Sequence, residues 1–304
     1  MTAGGPRRPG AAWPIAVLVI LVAGSIVVLE RLERAPGSRS GRARQEAPAA
    51  PERPGTLGTT RPVRPEADGD WVPVDEPVAR IAIVIDDVGF EERPALDLAS
   101  IGLPLTFAIL PRQRYSTVLA EKLATLGHEV ILHLPMEPEG YPRLDPGEGA
   151  VRVGMPAALI AATIAADLED VPGARGLSNH MGSRATADPA VMRVVLEEVR
   201  RRRLYFLDSR TTEETVGFSM AREMGIPTME RGMFLDDRRE ASYIESQVRG
   251  LLRRARAEGA VLAIGHADAV TVEVLRRSAG LFRSEDIRVV PASELAIGGA
   301  RGAG

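Results

Sequence analysis

The sequence predicts an α/β domain in which helices cover a parallel sheet. Two observations support this class: short apolar runs alternate with amphipathic segments from Ala79 onward, and glycines stand where the helices should end. Repeated βα units fit either a barrel or a doubly wound sheet. About seven or eight strands favour the barrel, and no internal sequence repeat is visible.

The predicted strands are short apolar runs, and the first, Ile81–Ile85, is the clearest. A continuous apolar run of this length is typical of a strand that is buried on both faces. The other runs are likewise bounded by polar or glycine-containing segments. They cover Leu105–Leu110, Val130–Leu134, Gly176–Ser178, Leu204–Leu207, Thr228–Glu230, Val261–Ile264 and Arg288–Val290.

Seven amphipathic segments fit between these strands as helices. Asp188 followed by Pro189 is a typical helix start, because Asp caps the first amide groups and Pro suits the first helical position. Gly127, Gly225 and Gly259 stand just after helical patterns, where C-caps belong. The predicted helices lie near Pro94–Ser100, Ser116–Leu126, Pro156–Leu168, Pro189–Arg202, Phe218–Met224, Ala241–Glu258 and Val270–Leu281.

The residues ahead of the domain predict a membrane anchor and a linker. Two arginines precede the apolar stretch 11–29, which would span roughly 28 Å as a helix, close to one bilayer core. Positive charge ahead of the stretch favours a cytoplasmic tail at 1–10 and a domain outside the cytoplasm. A cleaved signal peptide is the alternative, because small residues at 23–25 leave a cleavage site open.

These features predict a single-pass protein of the inner, cytoplasmic membrane with a periplasmic domain. Residues 30–78 are rich in Pro, Gly, Arg and Ala and predict a disordered linker. The catalytic domain is then expected at 79–297, followed by a flexible tail at 298–304.

Composition limits the chemistry that this chain can carry. The formal net charge is −3 over 304 residues, which argues against nucleic acid as a partner. The chain has no cysteine, so thiolate nucleophiles and cysteine zinc sites are excluded. Any metal must be held by His, Asp or Glu, and there are only four histidines.

Acidic, histidine and other polar side chains follow successive predicted strands. The carboxyl ends of parallel strands meet at one end of the domain, so these side chains should lie close together. Any single one could be a helix cap, and Asp236 and Asp237 could cap the helix near Ala241, but caps alone do not explain the whole set. The set is Asp86 and Asp87, His133, Asn179 and His180, Asp208 and Arg210, Asp236 and Asp237, and His266.

Several of these segments together resemble the divergent polysaccharide deacetylases, distant relatives of the NodB-like carbohydrate esterases. The resemblance covers roughly Ala79 to Leu295 and implies a distorted (β/α) barrel with a divalent metal, usually zinc. The matching segments are Ile85–Gly89, Gly127–Val130 with His133–Met136, Asn179–Ser183, Phe206–Ser209, Phe234–Asp237 and Ile264–His266.

The resemblance implies that Asp86 is the general base and that Asp87 and His133 bind the metal. The NodB-like enzymes carry a second metal-binding histidine four residues after the first, but Glu137 stands at that position here. A carboxylate can bind zinc, so Glu137 is one candidate for the third ligand. His180, at a neighbouring strand end, is the preferred candidate because imidazole is the better zinc ligand.

The remaining roles concern proton donation and substrate binding. His266 resembles the catalytic histidine that protonates the leaving amine, and Asp208 could orient or polarise it. Asn179 could help to stabilise the oxyanion, and Arg210 could bind substrate or only pair with an acid. Val88 displaces by one position the glycine that follows the paired acids in the family signature.

The expected function is metal-assisted removal of N-acetyl groups from a cell-envelope or exported polysaccharide, such as peptidoglycan. An alternative is an anchored glycan- or protein-binding module that keeps the fold without turnover, because Val88 and Glu137 depart from the family pattern. A glycoside hydrolase using Asp86 and a second carboxylate ranks lowest, since it leaves the histidines without a role.

Overall fold

The computed structural model describes residues 78–284 and 286–296, together with Met1. The predicted anchor at 11–29, the tail at 298–304 and all but the last residue of the linker at 30–78 lie outside the described residues. Within the described part of the chain, no helix has both the length and the apolar character needed to cross a membrane.

In the residues that the structure describes, nine strands form one sheet, and every pairing between them is parallel. The structure confirms the parallel α/β class and the eight strand-forming runs. It adds one two-residue strand that the sequence pattern does not reveal. The strands are β1 (Ala79–Val88), β2 (Thr106–Ile109), β3 (Glu129–Met136), β4 (Gly176–Met181), β5 (Tyr205–Asp208), β6 (Thr228–Glu230), β7 (Met233–Phe234), β8 (Ala260–His266) and β9 (Ile287–Val289).

Seven α-helices lie between the strands, as the sequence predicts. The Asp188 side chain caps the fourth helix by accepting hydrogen bonds from the Ala190 and Val191 amides. Gly259 ends the sixth helix with a left-handed φ of 79°. The helices are α1 (Glu92–Ala99), α2 (Ser116–Thr125), α3 (Ala157–Glu169), α4 (Pro189–Arg201), α5 (Gly217–Glu223), α6 (Ala241–Glu258) and α7 (Ala269–Ser278).

The sheet curls into an incompletely closed barrel. Its order is β6-β5-β4-β3-β2-β1-β8-β7, and β9 pairs with the first residues of β1. The two end strands, β6 and β7, are joined only by Arg231 and Gly232, a link that spans at most ~11 Å. Residues 228–234 therefore form the seam of the barrel, pairing first with β5 and then with β8. The expected seven or eight strands fall short of the nine in the described residues because β7 is only two residues long.

Side chains along each strand alternate between the helix layer and the barrel interior, as the pleat requires. On β1, Ile81, Ile83 and Ile85 pack in the core that includes the helices. Ala82 and Val84 belong to a separate cluster built almost entirely from strand residues, which fills the barrel. This alternation decides which polar residues at the strand ends face inward.

The amino-terminal end of the barrel is filled by protein. The Glu129 carboxylate accepts hydrogen bonds from Thr106 Oγ1, the Tyr205 hydroxyl and the Ser293 amide at 3.0, 2.8 and 3.1 Å. Ala292 packs into the interior cluster at the same end. The opposite end, where the strands finish, is called the mouth below.

Candidate metal centre and acid–base pair

A β-bulge at the end of β1 brings two neighbouring acids into the mouth. The register between β1 and β2 shifts between Ile85 and Val88, and Asp87 has a left-handed φ of 58°. This conformation is strained for a residue other than glycine, and such strain clusters at functional sites. In a regular strand Asp86 and Asp87 would point to opposite faces, whereas here both approach one histidine.

That histidine is His133, and it forms a cluster with His180 and Asp87. His133 Nε2 lies 3.3 Å from Asp87 Oδ1 and 3.5 Å from Asp86 Oδ2, while His180 Nδ1 lies 2.8 Å from Asp87 Oδ1. One ligand atom from each of Asp87, His133 and His180 lies within 4.8 Å of the others. These three residues are called the metal cluster below.

The metal cluster suits a divalent ion because of its ligand types and because one of its oxygen atoms lacks a hydrogen bond. Asp87 Oδ1 is buried and makes no hydrogen bond among the described residues, although two imidazole nitrogens lie close to it. Two nitrogens and one carboxylate oxygen form a zinc donor set, and three protein ligands leave one position open, as catalytic sites require. The residues present therefore fit the metal that the family resemblance implies.

Burial and charge oppose one another within this group. Burial disfavours the Asp87 anion, but the adjacent His133 and His180 outweigh it and hold its pKa well below the usual range. Burial raises the pKa of Asp86, although His133 partly offsets it. Asp86 Oδ1 is buried without a hydrogen-bond partner among the described residues. One acid thus stays an anion, while its neighbour is better able to accept a proton.

A second histidine–carboxylate pair lies beside the metal cluster. His266 Nδ1 is 2.9 Å from Asp236 Oδ1, and its amide donates to Asp236 Oδ2 at 2.6 Å. Thr271 Oγ1 also donates to Asp236 Oδ2. Burial would lower the pKa of His266, but Asp236 raises it to about 9. His266 Nε2 lies 3.9 Å from Asp87 Oδ2, so its free nitrogen faces the metal cluster.

Comparison with known proteins identifies the family of this chain. The sequence profile of the divergent polysaccharide deacetylases matches residues 83–296. The chain belongs to this family.

Two curated relatives and one solved structure are similar to this family member. An uncharacterized protein from Haemophilus influenzae is 33% identical over 213 residues, 70% of this chain and 75% of the relative. The Escherichia coli K12 protein YibQ is 34% identical over 216 residues, 71% and 67% of the two chains. A crystal structure of the uncharacterized Agrobacterium tumefaciens protein ATU2773 has a TM-score of 0.68 at 23% identity, covering 73% of this chain and 90% of that chain. At that identity it supports the fold alone.

In this family member the carboxylate that bonds to His266 is Asp236, which corrects the expectation for Asp208. Asp208 is fully buried and accepts hydrogen bonds from the Arg210 amide, Thr215 Oγ1 and the Phe218 amide at 2.9, 2.8 and 3.0 Å. Its side chain thus holds the loop that leads into α5.

Asp236 does not cap α6, because that helix begins at Ala241 with Glu240 at the N-cap. The sequence left its role open between a cap and a site residue, and the contacts with His266 place it at the site. Asp237, the next residue, is exposed. The contact between Asp236 and β8 depends on the seam strand β7, which the pattern does not reveal.

Asn179 bonds to the backbone near the mouth, whereas Arg210 pairs with two glutamates. Asn179 Oδ1 accepts from the Ser209 amide at 2.9 Å, and its Nδ2 donates to the Met181 carbonyl at 2.8 Å. Arg210 pairs with Glu230 at 2.6 Å and with Glu213 at 3.2 Å. The oxyanion role of Asn179 and the substrate role of Arg210 stay predictions.

Glu137, the alternative third ligand, is buried and already bonded. Its carboxylate pairs with Arg184 at 2.7 Å and accepts from the Val153 amide at 2.8 Å. These bonds connect the 137–155 loop to the loop after β4. His180, the preferred candidate, is the residue that lies in the metal cluster.

Proposed function

We propose that the protein is a metal-dependent hydrolase that removes N-acetyl groups from a cell-envelope or exported polysaccharide. One observation carries this proposal: Asp87, His133 and His180 bring their ligand atoms together beside a proton acceptor and a proton donor. Amide hydrolysis needs these three functions in one place. Membership of the divergent polysaccharide deacetylase family supports the class of substrate.

The metal cluster would hold a divalent ion, for which we propose zinc because of the two imidazole ligands and one carboxylate. When bound, such an ion supplies Lewis acidity, which polarises a carbonyl group and makes water more acidic.

Asp86 is the proposed proton acceptor. It is 4% exposed, burial raises its pKa, and its Oδ1 has no hydrogen-bond partner among the described residues. A carboxylate whose pKa moves towards neutrality is a stronger base for taking a proton from water. Its position beside His133 places it next to the metal cluster.

His266 is the proposed proton donor to the departing nitrogen. With a pKa of about 9 it carries its proton at neutral pH, as a general acid must. Asp236 accepts the hydrogen bond from Nδ1–H, so the proton on Nε2 is the one that faces the metal cluster and can be donated. Phe234 packs nearly parallel to the imidazole, with ring centroids 6.2 Å apart, and helps to fix its plane.

We further propose that the enzyme acts outside the cytoplasm, in the periplasm, tethered by a helix at 11–29. The apolar stretch and the two arginines ahead of it support this location. A tethered enzyme there would meet peptidoglycan or exported polysaccharide, which is why these are the proposed substrates.

The test is acetate release from N-acetylated glycans, including peptidoglycan and chitooligosaccharides, by the purified full-length chain loaded with zinc. Asp86→Asn should abolish release, while Asp208→Asn, at the end of β5, is a matched control. If the fully loaded chain released no acetate from any N-acetylated glycan, the proposal would be wrong. Glycan binding that survives Asp86→Ala in a chain without turnover would instead support a binding module.

A further inference from the structure

We propose that Ser178 is a positioning residue that fixes His133 as a metal ligand, so that metal affinity depends on the Ser178 hydroxyl. This inference rests on the proposed metal-dependent function and deepens it. Ser178 ends the predicted strand Gly176–Ser178, and its partner becomes clear only from the pairing of β3 with β4.

Ser178 and His133 are direct partners across two neighbouring strands. The β3–β4 register places His133 opposite Ser178, and Ser178 Oγ lies 2.7 Å from His133 Nδ1. Ser178 is fully buried and His133 is 2% exposed. His180 stands two residues further along β4 on the same face of the sheet. One strand therefore contributes a metal ligand and the anchor of another ligand.

The chemistry of imidazole assigns a direction to this hydrogen bond. His133 Nε2 faces Asp87, so Nε2 is the nitrogen that would bind the ion and must offer a lone pair. A neutral imidazole with a lone pair on Nε2 carries its proton on Nδ1. That N–H must donate, and Ser178 Oγ is the atom in position to accept it. Partners of this kind fix the tautomer and the ring orientation of metal-binding histidines.

Burial makes the Ser178 hydroxyl difficult to replace. Water has little access to a pair that is buried to this degree, so loss of Oγ would leave the His133 N–H without an acceptor. The imidazole could then rotate or change tautomer, and either change would take its lone pair away from the metal cluster. His180 is in a different position, because its side chain is 16% exposed.

The experiment is a titration of the full-length chain with zinc and with cobalt. Ser178→Ala is compared with Thr228→Val, which removes another buried hydroxyl that bonds only within the sheet, to the Phe206 carbonyl. We expect Ser178→Ala to weaken metal binding about 10- to 100-fold and to alter the visible absorption of bound cobalt. Thr228→Val should change neither, and Ser178→Thr, which keeps the hydroxyl, should retain most of the affinity.

Equal metal affinity and an equal cobalt spectrum for Ser178→Ala and Thr228→Val would overturn the inference. The tautomer of His133 can be measured in the wild-type chain, so the inference is testable even if Ser178→Ala does not fold. Nitrogen-15 shifts of the His133 ring in the zinc-loaded protein should report a proton on Nδ1, and a proton on Nε2 would overturn the inference. A wild-type chain that binds no metal would overturn this inference and the proposed function together, whereas equal affinities would overturn only the role of Ser178.

Discussion

Inward-facing and outward-facing polar residues at the strand ends differ in the contacts that they make. The inward-facing set converges at the mouth and consists of Asp86, His133, His180 and His266. The outward-facing set, Asn179 and Asp208, holds loops against the helix layer. Both sets use residue types that are common in active sites. The direction of the side chain, and not the residue type, therefore distinguishes residues that converge at the candidate site from residues that hold loops.

The alternation along each strand explains this difference. On β5, Leu207 packs in the barrel interior and Phe206 in the helix layer, so Asp208 continues on the helix side. On β8, Leu262 and Ile264 pack in the interior, so His266 continues inward. Alternation relates the side chains within one strand, and the two hydrophobic clusters identify which face is the barrel interior.

The largest effect should come from removing the metal or one of its ligands. Chelation of the full-length chain should abolish acetate release, and zinc should restore it. His133→Ala should lower the rate about a thousandfold or more without rescue by zinc, because a metal supplies several kcal/mol of transition-state stabilisation. Acetate release and metal content are the measurements. Full activity in a chelated, metal-free chain would contradict the role of the inward-facing set.

A direct comparison of the two carboxylates comes next. Asp236→Asn should lower kcat by about 10²- to 10⁴-fold, because it removes the partner that keeps His266 protonated and oriented. Asp208→Asn should leave kcat nearly unchanged but cost about 1–3 kcal/mol of unfolding free energy, since it disturbs three hydrogen bonds to a buried carboxylate. Kinetics and denaturant unfolding of both variants provide the test.

The opposite pattern would reverse the assignment. If Asp208→Asn lost turnover at normal stability while Asp236→Asn retained it, the sequence-based role of Asp208 would be restored. In that case the distance between His266 and Asp236 would have no bearing on catalysis.

The sequence predicted the parallel α/β class, the helices and the strand ends at which polar groups gather. These features are local, because they follow from hydrophobic runs, capping residues and glycines. Asp86, Asp87, His133, His180 and His266 were identified as site residues, and the structure brings all five together.

What could not be predicted depends on non-local geometry. The bulge at Asp87 is a register shift between two strands, and the contact of Ser178 with His133 depends on the β3–β4 register. Asp236 reaches His266 only because the seam segment, which first pairs with β5, then pairs with β8. No single stretch of sequence specifies such pairings. Alternation on β5 places Asp208 on the same face as Phe206, but both faces of this strand are apolar, so the sequence does not tell which face is the barrel interior.

Asn179→Ala should have a smaller effect that is mainly structural. Asn179 ties the Met181 carbonyl to the Ser209 amide, and Met181 follows His180 with a left-handed φ of 51°. We expect a loss of about 1–3 kcal/mol of unfolding free energy and weaker metal binding, with kcat recovering at saturating zinc. A loss of kcat that saturating zinc does not repair would support the oxyanion role that the sequence suggested.

The pH dependence of stability tests the His266–Asp236 pair in the metal-free chain. The pKa of His266 is raised from 6.5 to about 9 on folding, so its contribution is fully present below pH 6.5 and is lost as pH rises through about 9. Wild type should therefore lose more unfolding free energy between pH 6.5 and 9 than Asp236→Asn. Urea unfolding at several pH values, with chelator present, measures this difference. Parallel pH profiles would contradict the pairing.

The smallest effect should come from substitution of Arg210, which lies two residues after the end of β5. Its side chain is 32% exposed and pairs with Glu230 and Glu213, so each ion pair is screened by solvent. Arg210→Met should change unfolding free energy by no more than about 1 kcal/mol and leave kcat and KM unchanged, because surface ion pairs contribute little. Steady-state kinetics on an acidic and a neutral N-acetylated glycan check this expectation. A rise in KM for the acidic glycan alone would show that Arg210 contacts substrate.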